Sequence, residues 1–185
     1  MCLRIEKLID MEIRVQPITS DRYSVLSNLV QLYLYDISEL DQRELGKDGC
    51  YSFRDINFYL QANNGWAFQL LRRGIIVGFA LVALRRSWIH EDTVYSIDDL
   101  FVLRNYRKQG IGRIAAFRLF STFPGTWEVS EMEENKPAHV FWRQVVDEFT
   151  KGRFLDTTVL VDGRWNRPTQ RFVVSEDNCQ RSTRS

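Results

Sequence analysis

Cysteine and histidine are scarce in this sequence. It contains three cysteines, Cys2, Cys50 and Cys179, and two histidines, His90 and His139. Because the cysteines are odd in number and widely spaced, neither a disulfide framework nor a structural zinc site is expected. The sequence therefore predicts no metal centre and a reducing compartment.

Long apolar runs and an excess of one charge are also missing. No window approaches the roughly 20 apolar residues that a membrane-spanning helix needs, and residues 1–10 lack the apolar core and cleavage site of a signal peptide. The formal net charge of +1 gives no general reason to expect nucleic acid or an acidic membrane as a partner. We therefore predict a cytoplasmic protein that binds no nucleic acid and no membrane.

What is present is enough apolar sequence for one folded domain. A chain of 185 residues with 44% hydrophobic content can bury a full core. Strand-like alternation begins at Met11, whereas the last ten residues are polar and have no apolar period. We predict one domain over 11–175, an N-terminal appendage over 1–10 and a disordered tail over 176–185. The sequence leaves a monomer and a homodimer open.

Apolar periodicity and turn residues predict an α+β fold built on one mostly antiparallel sheet, in the order β-α-α-β-β-β-α-β-α-β-β. The first strand is expected over 12–18 and is followed by an amphipathic helix that begins after residues 20–22. A short second helix is expected from Ser52 to about residue 63. The remaining predicted elements are strands 66–73, 75–85 and 93–103, helix 112–122, strand 126–130, helix 136–149, and a hairpin of 152–160 with 170–174 whose loop is 162–166.

The stretch from Asp99 to Phe117 has the pattern of an anion site. An apolar strand is followed by a basic loop, by Gly110-Ile111-Gly112 and by a helix. Amide groups in the first turn of a helix have no carbonyl partner, and the helix dipole adds partial positive charge there. Arg107, Lys108 and Arg113 surround these amides with formal charge, which favours a pyrophosphate over a single carboxylate.

Three phosphate-binding motifs and a plain turn into a helix are the alternative explanations of this loop. A Walker loop fails because Arg113 follows Gly112 where that motif needs lysine. The dinucleotide fingerprint fits the glycines, but its strand should run directly into the first glycine, and the polar residues 104–109 intervene. A plain turn leaves the clustered basic residues unexplained. The third motif, Arg/Gln-x-x-Gly-x-Gly/Ala, matches Arg107 to Gly112.

With this motif the chain resembles the GCN5-related N-acetyltransferase (GNAT) superfamily. The segment Trp127-Glu-Val-Ser130 is similar to the fifth strand of that family, and Asn135-Lys-Pro-Ala138-His-Val-Phe141-Trp142 is similar to the start of its next helix. The resemblance covers residues from about 93 to 150. It implies a GNAT-like fold, with one mostly antiparallel central sheet of about seven strands flanked by about four helices.

The resemblance also implies acetyl-CoA as co-substrate and a primary amine, on a small molecule or a peptide, as acceptor. The pantetheine arm would enter between strands 93–103 and 126–130, which diverge in this family, and the pyrophosphate would bind the amides of the glycine loop. Acceptor contacts are expected from Tyr33, Asp36, Glu39, Tyr51 and Trp165. The expected coenzyme-binding residues are Val102, Arg107, Lys108, Gln109, Gly110, Ile111, Gly112, Arg113, Asn135 and Trp142.

A carboxylate is expected to remove the proton of the acceptor ammonium before attack. Asp98 and Asp99 lie where the family often has such a base. Since they are adjacent in a strand they should point to opposite faces, and Asp98, on the face of Leu100, is slightly favoured. A one-residue bulge would exchange them. Glu128 is a third candidate.

The general acid departs from the family pattern. Where the family commonly has tyrosine, this chain has Trp142, whose indole cannot act as an acid near neutral pH. His139 recurs at helical spacing with Asn135 and Trp142 and is the candidate to protonate the leaving thiolate. The missing tyrosine keeps an alternative open, namely a non-catalytic acyl-CoA-binding sensor or regulatory domain.

Overall fold

The computed structural model describes residues 12–61, 63–161 and 165–175. The predicted appendage 1–10, the predicted tail 176–185, loop residues 162–164 and the side chain of Trp165 lie outside the described residues. The strands are β1 (Ile13–Pro17), β2 (Gly65–Arg72), β3 (Ile75–Arg86), β4 (Thr93–Val102), β5 (Gly125–Ser130), β6 (Leu155–Val161) and β7 (Trp165–Val174). The helices are α1 (Tyr23–Asp41), α2 (Asn57–Gln61), α3 (Ile111–Thr122) and α4 (Lys136–Thr150).

The strands form one seven-stranded sheet in the order β1-β2-β3-β4-β5-β7-β6. Every neighbouring pair is antiparallel except β4 and β5, which are parallel because α3 connects them. The predicted α+β architecture, with one mostly antiparallel sheet and four flanking helices, is confirmed.

Helices cover both faces of the sheet. On one face, Leu26, Val30 and Leu34 of α1 are fully buried and belong to the same apolar cluster as Phe79 and Phe101 of β3 and β4. On the other face, α3 and α4 pack onto a second cluster, whose aromatic residues include Phe120, Trp127, Trp142 and Phe172. Apolar side chains recurring at three and four on the helices and alternating on the strands produce this layering.

Two predicted boundaries are wrong. Helix α2 begins at Asn57 instead of near Ser52, because Tyr51 is held extended: it bridges Leu45 and exchanges two hydrogen bonds with the side chain of Gln31 (2.8 and 3.0 Å). Strand β7 begins at residue 165, five residues earlier than predicted. Pro168 is tolerated in β7 because it lies just past the end of β5. Its carbonyl accepts from the Glu131 amide (3.2 Å), and its missing N–H is on the same side of the strand, so it also points past the end of β5.

Strand β4 contains an irregularity at its centre. Its pairing with β3 shifts register between Leu81↔Asp99 and Val82↔Ile97, so Asp98 is an extra residue on β4. Such a bulge bends the strand and re-aims its side chains.

The described residues contain neither a candidate membrane-spanning helix nor a candidate metal-binding cluster. Among the described helices none is long and apolar enough to cross a membrane. Within the described ranges no three His, Cys, Asp or Glu side chains are grouped to hold a metal ion.

Candidate active site

The glycine loop opens a helix, as predicted. Helix α3 begins at Ile111, and Gly110 has φ of 77°, a left-handed conformation that glycine adopts without strain. In the part of the chain that the structure describes, no group accepts a hydrogen bond from the N–H of Gly110, Ile111 or Gly112. A Cβ on Gly110 would meet no atom within 4 Å. The loop therefore presents open, unpaired donors at a helix N-terminus.

The basic residues of the loop differ in their surroundings. Lys108 is exposed and itself has a left-handed backbone conformation, with φ of 59°. Arg113 donates to Glu148 (2.6 Å) and lies over the Phe117 ring. The side chain of Gln109 is hydrogen-bonded within the protein: it accepts from Arg72 and donates to the carbonyl of Asn105 (3.1 Å).

Arg107 turns back toward α1 and β4. It forms an ion pair with Asp36, and its Nε donates to the Val102 carbonyl (2.8 Å). Burial alone would raise the pKa of Asp36, but hydrogen bonds from Arg107 and Arg104 outweigh it and hold the pKa below its usual value. Asp36, expected to contact the acceptor, therefore neutralises the basic loop instead.

Strands β4 and β5 separate beyond one shared bridge, Tyr95↔Trp127. The Leu103 amide donates to the Val77 carbonyl of β3 (2.9 Å), so by strand alternation the amide and carbonyl of Val102 point away from β3, toward the gap. The Val102 amide is therefore available to an extended ligand directly upstream of the glycine loop, whereas the Val102 carbonyl is occupied by Arg107.

A cavity of about 610 Å³ lies beside the β4–β5 gap and extends to the face of the sheet that α1 covers. Its size suits a small-molecule site. Its walls come from α1, the segment before α2, β4, the end of β5, α4 and β7. The residues that line it are Tyr33, Leu34, Ile37, Arg43, Ser52, Phe53, Arg54, Ile97, Asp98, Asp99, Leu100, Ser130, Glu131, Met132, Asn135, Ala138, Trp142 and Arg167.

Asp99 is buried in this cavity wall. It forms an ion pair with Arg54, whose side chain is half exposed and also lies over the rings of Phe53 and Tyr59 (4.8 and 5.6 Å). Burial raises the pKa of Asp99 to about 6, although Arg54 and the Tyr33 hydroxyl favour the carboxylate. A carboxyl group with a pKa near neutrality in a cleft is a candidate for proton transfer.

The expectation that Asp98 and Asp99 point to opposite faces is wrong. Both line the cavity, and Asp98 accepts from the Tyr59 hydroxyl (2.8 Å) on the α1–α2 side instead of sharing the face of Leu100. The bulge at Asp98 is the physical reason, because the extra residue breaks the alternation. Arg85 Nη1 lies 3.4 Å from Asp98 Oδ1, an ion-pair distance without hydrogen-bond geometry.

A carboxylate–histidine pair crosses the wall of the cavity. Glu131, directly after β5, is 5% exposed and accepts from Gln170 Nε2 (3.4 Å); its Oε1 lies 2.6 Å from His139 Nδ1. Burial raises the pKa of Glu131, and the bonds to His139 and Gln170 only partly oppose this rise. Glu131 lines the cavity, whereas His139 lines a separate groove on the outer side of α4.

A family model described as "Acetyltransferase (GNAT) family" matches residues 32–146, which is more than half of the chain. The chain belongs to the GNAT acetyltransferase family. The matched region includes α1 from residue 32 onward, the glycine loop, the β4–β5 gap and most of α4. No curated protein matches the sequence significantly.

Solved structures agree with the GNAT fold at low sequence identity. An acetyltransferase from Thermus thermophilus has a TM-score of 0.64 at 16% identity, covering 88% of this chain and 97% of its own. Spermidine N-acetyltransferase from Vibrio cholerae, in complex with CoA and spermine, has 0.58 at 13%, covering 90% and 98%. An aminoglycoside acetyltransferase from an uncultured soil metagenomic sample, in complex with sisomicin, has 0.54 at 23%, covering 74% and 89%.

Helix α4 of this GNAT protein connects the two sides of the gap. Asn135 caps the helix, its side chain accepting from the Ala138 amide (3.1 Å), and both Asn135 and Trp142 line the cavity. Phe141 packs beside Trp142 and so close to Gly112 that a Cβ there would lie 3.1 Å from the ring. Gly112 therefore lets α3 and α4 approach each other.

Several predicted site residues lie elsewhere. Glu128 is fully buried and accepts from Ser87, the Trp88 amide (3.0 Å) and Arg171 (2.6 Å), so its surroundings satisfy it without a ligand. Tyr51 holds the segment before α2, and neither it nor Glu39 lines the cavity.

Four charged cavity residues were not predicted from the sequence: Arg43, Arg54, Glu131 and Arg167. The three arginines lie outside every recognised motif, so no local signal marked them. The position of Glu131 directly after the fifth strand was the one available signal.

Proposed function

We propose that this GNAT protein is an acetyl-CoA-dependent N-acetyltransferase that moves the acetyl group to a primary amine by direct attack in a ternary complex. The observation that supports this most is the continuity of the β4–β5 gap: it is flanked by unpaired amides at Gly110 to Gly112 and opens into a cavity lined by carboxylates. Cys50 lies exposed in a loop outside that cavity, which is consistent with a mechanism without a cysteine nucleophile.

The glycine loop and β4 fit acetyl-CoA. Open N–H groups and the positive end of α3 suit its pyrophosphate, with Lys108 and Arg113 nearby. The backbone of Val102 faces the gap and suits the amides of the pantetheine arm. Arg107 now donates to the Val102 carbonyl, so we expect coenzyme binding to displace its guanidinium toward the phosphates.

Asp99 is the proposed base, with Asp98 as its neighbour in the same wall. An ammonium has no lone pair, so one proton must leave the acceptor before its nitrogen attacks the thioester carbon. With a pKa of about 6, Asp99 is mostly ionised at neutral pH and still basic enough to accept that proton. Arg54 keeps the carboxylate paired and in place.

His139 and Glu131 are proposed to protonate the departing thiolate. Trp142 occupies the position that the resemblance assigns to tyrosine, and its indole cannot act as the acid. His139 does not itself line the cavity, but Glu131 does, and the two are hydrogen-bonded. A proton taken up by His139 from solvent therefore reaches the cavity through Glu131, whose raised pKa favours carrying it.

The direct test is thiol release from acetyl-CoA across a panel of primary amines, with acetyl-CoA binding measured in parallel. We expect binding by the wild-type protein, amine-dependent release, and acetylated amine in an amount equal to the thiol. Binding without release for every amine would favour the alternative, a non-catalytic acyl-CoA sensor, for which Trp142 in place of tyrosine is the supporting observation. No binding would contradict both functions.

A further inference from the structure

The acceptor cavity carries charge of both signs. Three guanidinium groups line it, Arg43, Arg54 and Arg167, together with three carboxylates, Asp98, Asp99 and Glu131. A charge that the protein itself does not neutralise is available to a ligand and therefore indicates the chemistry of the acceptor.

Two of the three arginines are paired. Arg54 binds Asp99, and Arg43 binds both carboxylate oxygens of Asp41, with its Nε 2.9 and 2.8 Å from them. Arg167 is different: among the residues that the structure describes, no carboxylate lies within ion-pair distance of it. One cavity-lining guanidinium is therefore left for a ligand.

The position of Arg167 is fixed by its backbone. Its carbonyl accepts from the Thr169 hydroxyl (3.0 Å), and the next residue, Pro168, is tied to the end of β5 by its bond to the Glu131 amide. The half-buried side chain thus extends from a strand and not from a free loop. A cation held on a rigid element is suited to selective recognition.

Some acceptor atoms of the same cavity wall lack a hydrogen bond, although Asp98 Oδ1 still lies at ion-pair distance from Arg85 Nη1 (3.4 Å). Asp98 Oδ1 and Glu131 Oε2 are buried and have no hydrogen-bond partner among the described residues. Glu131 is more than nine-tenths buried, so an unsatisfied oxygen there is costly unless a ligand donates to it. These oxygens suit an ammonium or amine N–H, the opposite charge to that which Arg167 suits.

We propose that the acceptor is an amine that also carries an acidic group, a carboxylate or a phosphate, and that Arg167 binds this group. The inference rests on the proposed transferase function and names the substrate class of its site. A guanidinium can donate two parallel N–H groups to two oxygens of a carboxylate or of a phosphate. The amine is then directed toward the carboxylates at the end of the gap, and Arg167 determines acceptor specificity without taking part in the chemistry.

The test compares amines in pairs that differ only by the acidic group: ornithine with putrescine, phenylalanine with phenethylamine, and phosphoethanolamine with ethanolamine. For the wild-type protein we expect kcat/KM to be about 10- to 100-fold higher for the acidic member of at least one pair. The first two pairs test a carboxylate and the third tests a phosphate. Arg167→Gln should bring the ratio close to one, and Arg167→Lys should restore part of it.

The matched control is Arg14→Gln, which removes an exposed arginine from β1 at the opposite edge of the sheet and should leave the ratio unchanged. Equal or better turnover of the amines without an acidic group would overturn the substrate class while leaving the transferase intact. A preference that survives in Arg167→Gln, or an effect on the KM for acetyl-CoA instead of that for the acceptor, would overturn the role of Arg167.

Binding measurements apply if acetyl-CoA binds but no pair is turned over. Calorimetry on the CoA-bound protein then compares N-acetylphenylalanine with N-acetylphenethylamine, and likewise the N-acetylated members of the ornithine and phosphoethanolamine pairs. Tighter binding of an acid that is lost in Arg167→Gln would support the anion site even though transfer has failed. Equal binding throughout, or binding of no acid, would refute it.

Discussion

The proposed coenzyme side and the proposed acceptor side of the β4–β5 gap are built in different ways. The coenzyme side consists mainly of backbone groups from one continuous stretch, the end of β4, the glycine loop and the first turn of α3. The acceptor side consists of side chains from α1, the segment before α2, β4, the end of β5, α4 and β7, which only the tertiary fold brings together.

Because of this difference, the two sides tolerate different changes in sequence. Backbone amides at a helix N-terminus recognise a pyrophosphate whatever the neighbouring side chains are, so the coenzyme side requires little beyond glycine. Side chains on separate elements can be exchanged one at a time, so the acceptor side can change its specificity without disturbing the loop. Substitutions on the acceptor side should therefore affect kcat or the acceptor KM, and those in the loop should affect coenzyme binding.

The largest expected effect is that of Asp99→Asn on turnover. Loss of a positioned base lowers kcat by about 10²- to 10⁴-fold, while acetyl-CoA binding should remain. In the wild-type protein kcat/KM should fall as pH drops below about 6, because Asp99 becomes protonated. Initial rates between pH 5 and 8 measure this limb, which should disappear in the variant. Survival of the limb in Asp99→Asn with loss in Asp98→Asn would transfer the role to Asp98.

Unfolding experiments control for damage to the fold. Burial raises the folded pKa of Asp99 above its ordinary value of 3.8, so the stability contributed by the protonated form is fully present below about pH 4 and is lost as pH rises through about 6. Asp99→Asn should therefore be no less stable than the wild-type protein at neutral pH. An inactive variant with a lowered unfolding temperature would not support a catalytic role. Asp92→Asn, at an exposed carboxylate outside the cavity, should leave the rate unchanged.

The next effect concerns Gly110 on the coenzyme side. Gly110→Val strains the left-handed backbone and tilts the amides; losing one or two charge-assisted hydrogen bonds, about 1.5–3 kcal/mol each, weakens acetyl-CoA binding by roughly 100-fold. Calorimetric titration with acetyl-CoA measures it. Gly152→Val is the matched control, because Gly152 has φ of 78° and only one atom near its Cβ position, Asp147 Oδ1 at 3.8 Å, but lies beyond α4. Equal losses in both variants would indicate strain alone.

The difference between a side built from one continuous stretch and a side built from distant elements also explains what could be predicted from the sequence. The start of α3 and the Gly110 turn were accessible because a local motif determines them, and the divergence of β4 from β5 was implied by the family resemblance that this motif supports. The boundaries of α2 and β7 could not be predicted. The start of α2 depends on the hydrogen bonds between Tyr51 and Gln31, which is 20 residues away, and the start of β7 depends on where β5 ends, because Pro168 lies just past that point.

The acceptor side was predicted less well. Asp98 and Asp99 were identified as residue types in the correct strand, but a bulge set by pairing with β3 places both in one wall. Arg54 and Arg167 come from segments without a motif, and contact with Asp99 or the cavity arises only when distant elements pack. Whether a charge is neutralised or free is a property of such contacts, which a linear sequence does not contain.

The smallest expected effect is that of His139→Gln, which tests whether the two sides share a proton path. We expect kcat to fall by about 3- to 10-fold, because a thiolate can also leave without a strong acid. Glu131→Gln should cause a similar loss, and the double variant should lose no more than either alone, since the two residues act in series. His90→Gln, the exposed histidine of the β3–β4 loop, is the control and should have no effect. Additive losses in kcat would mean that Glu131 has a catalytic role independent of His139, whereas a contribution of its Oε2 to acceptor binding would change the acceptor KM.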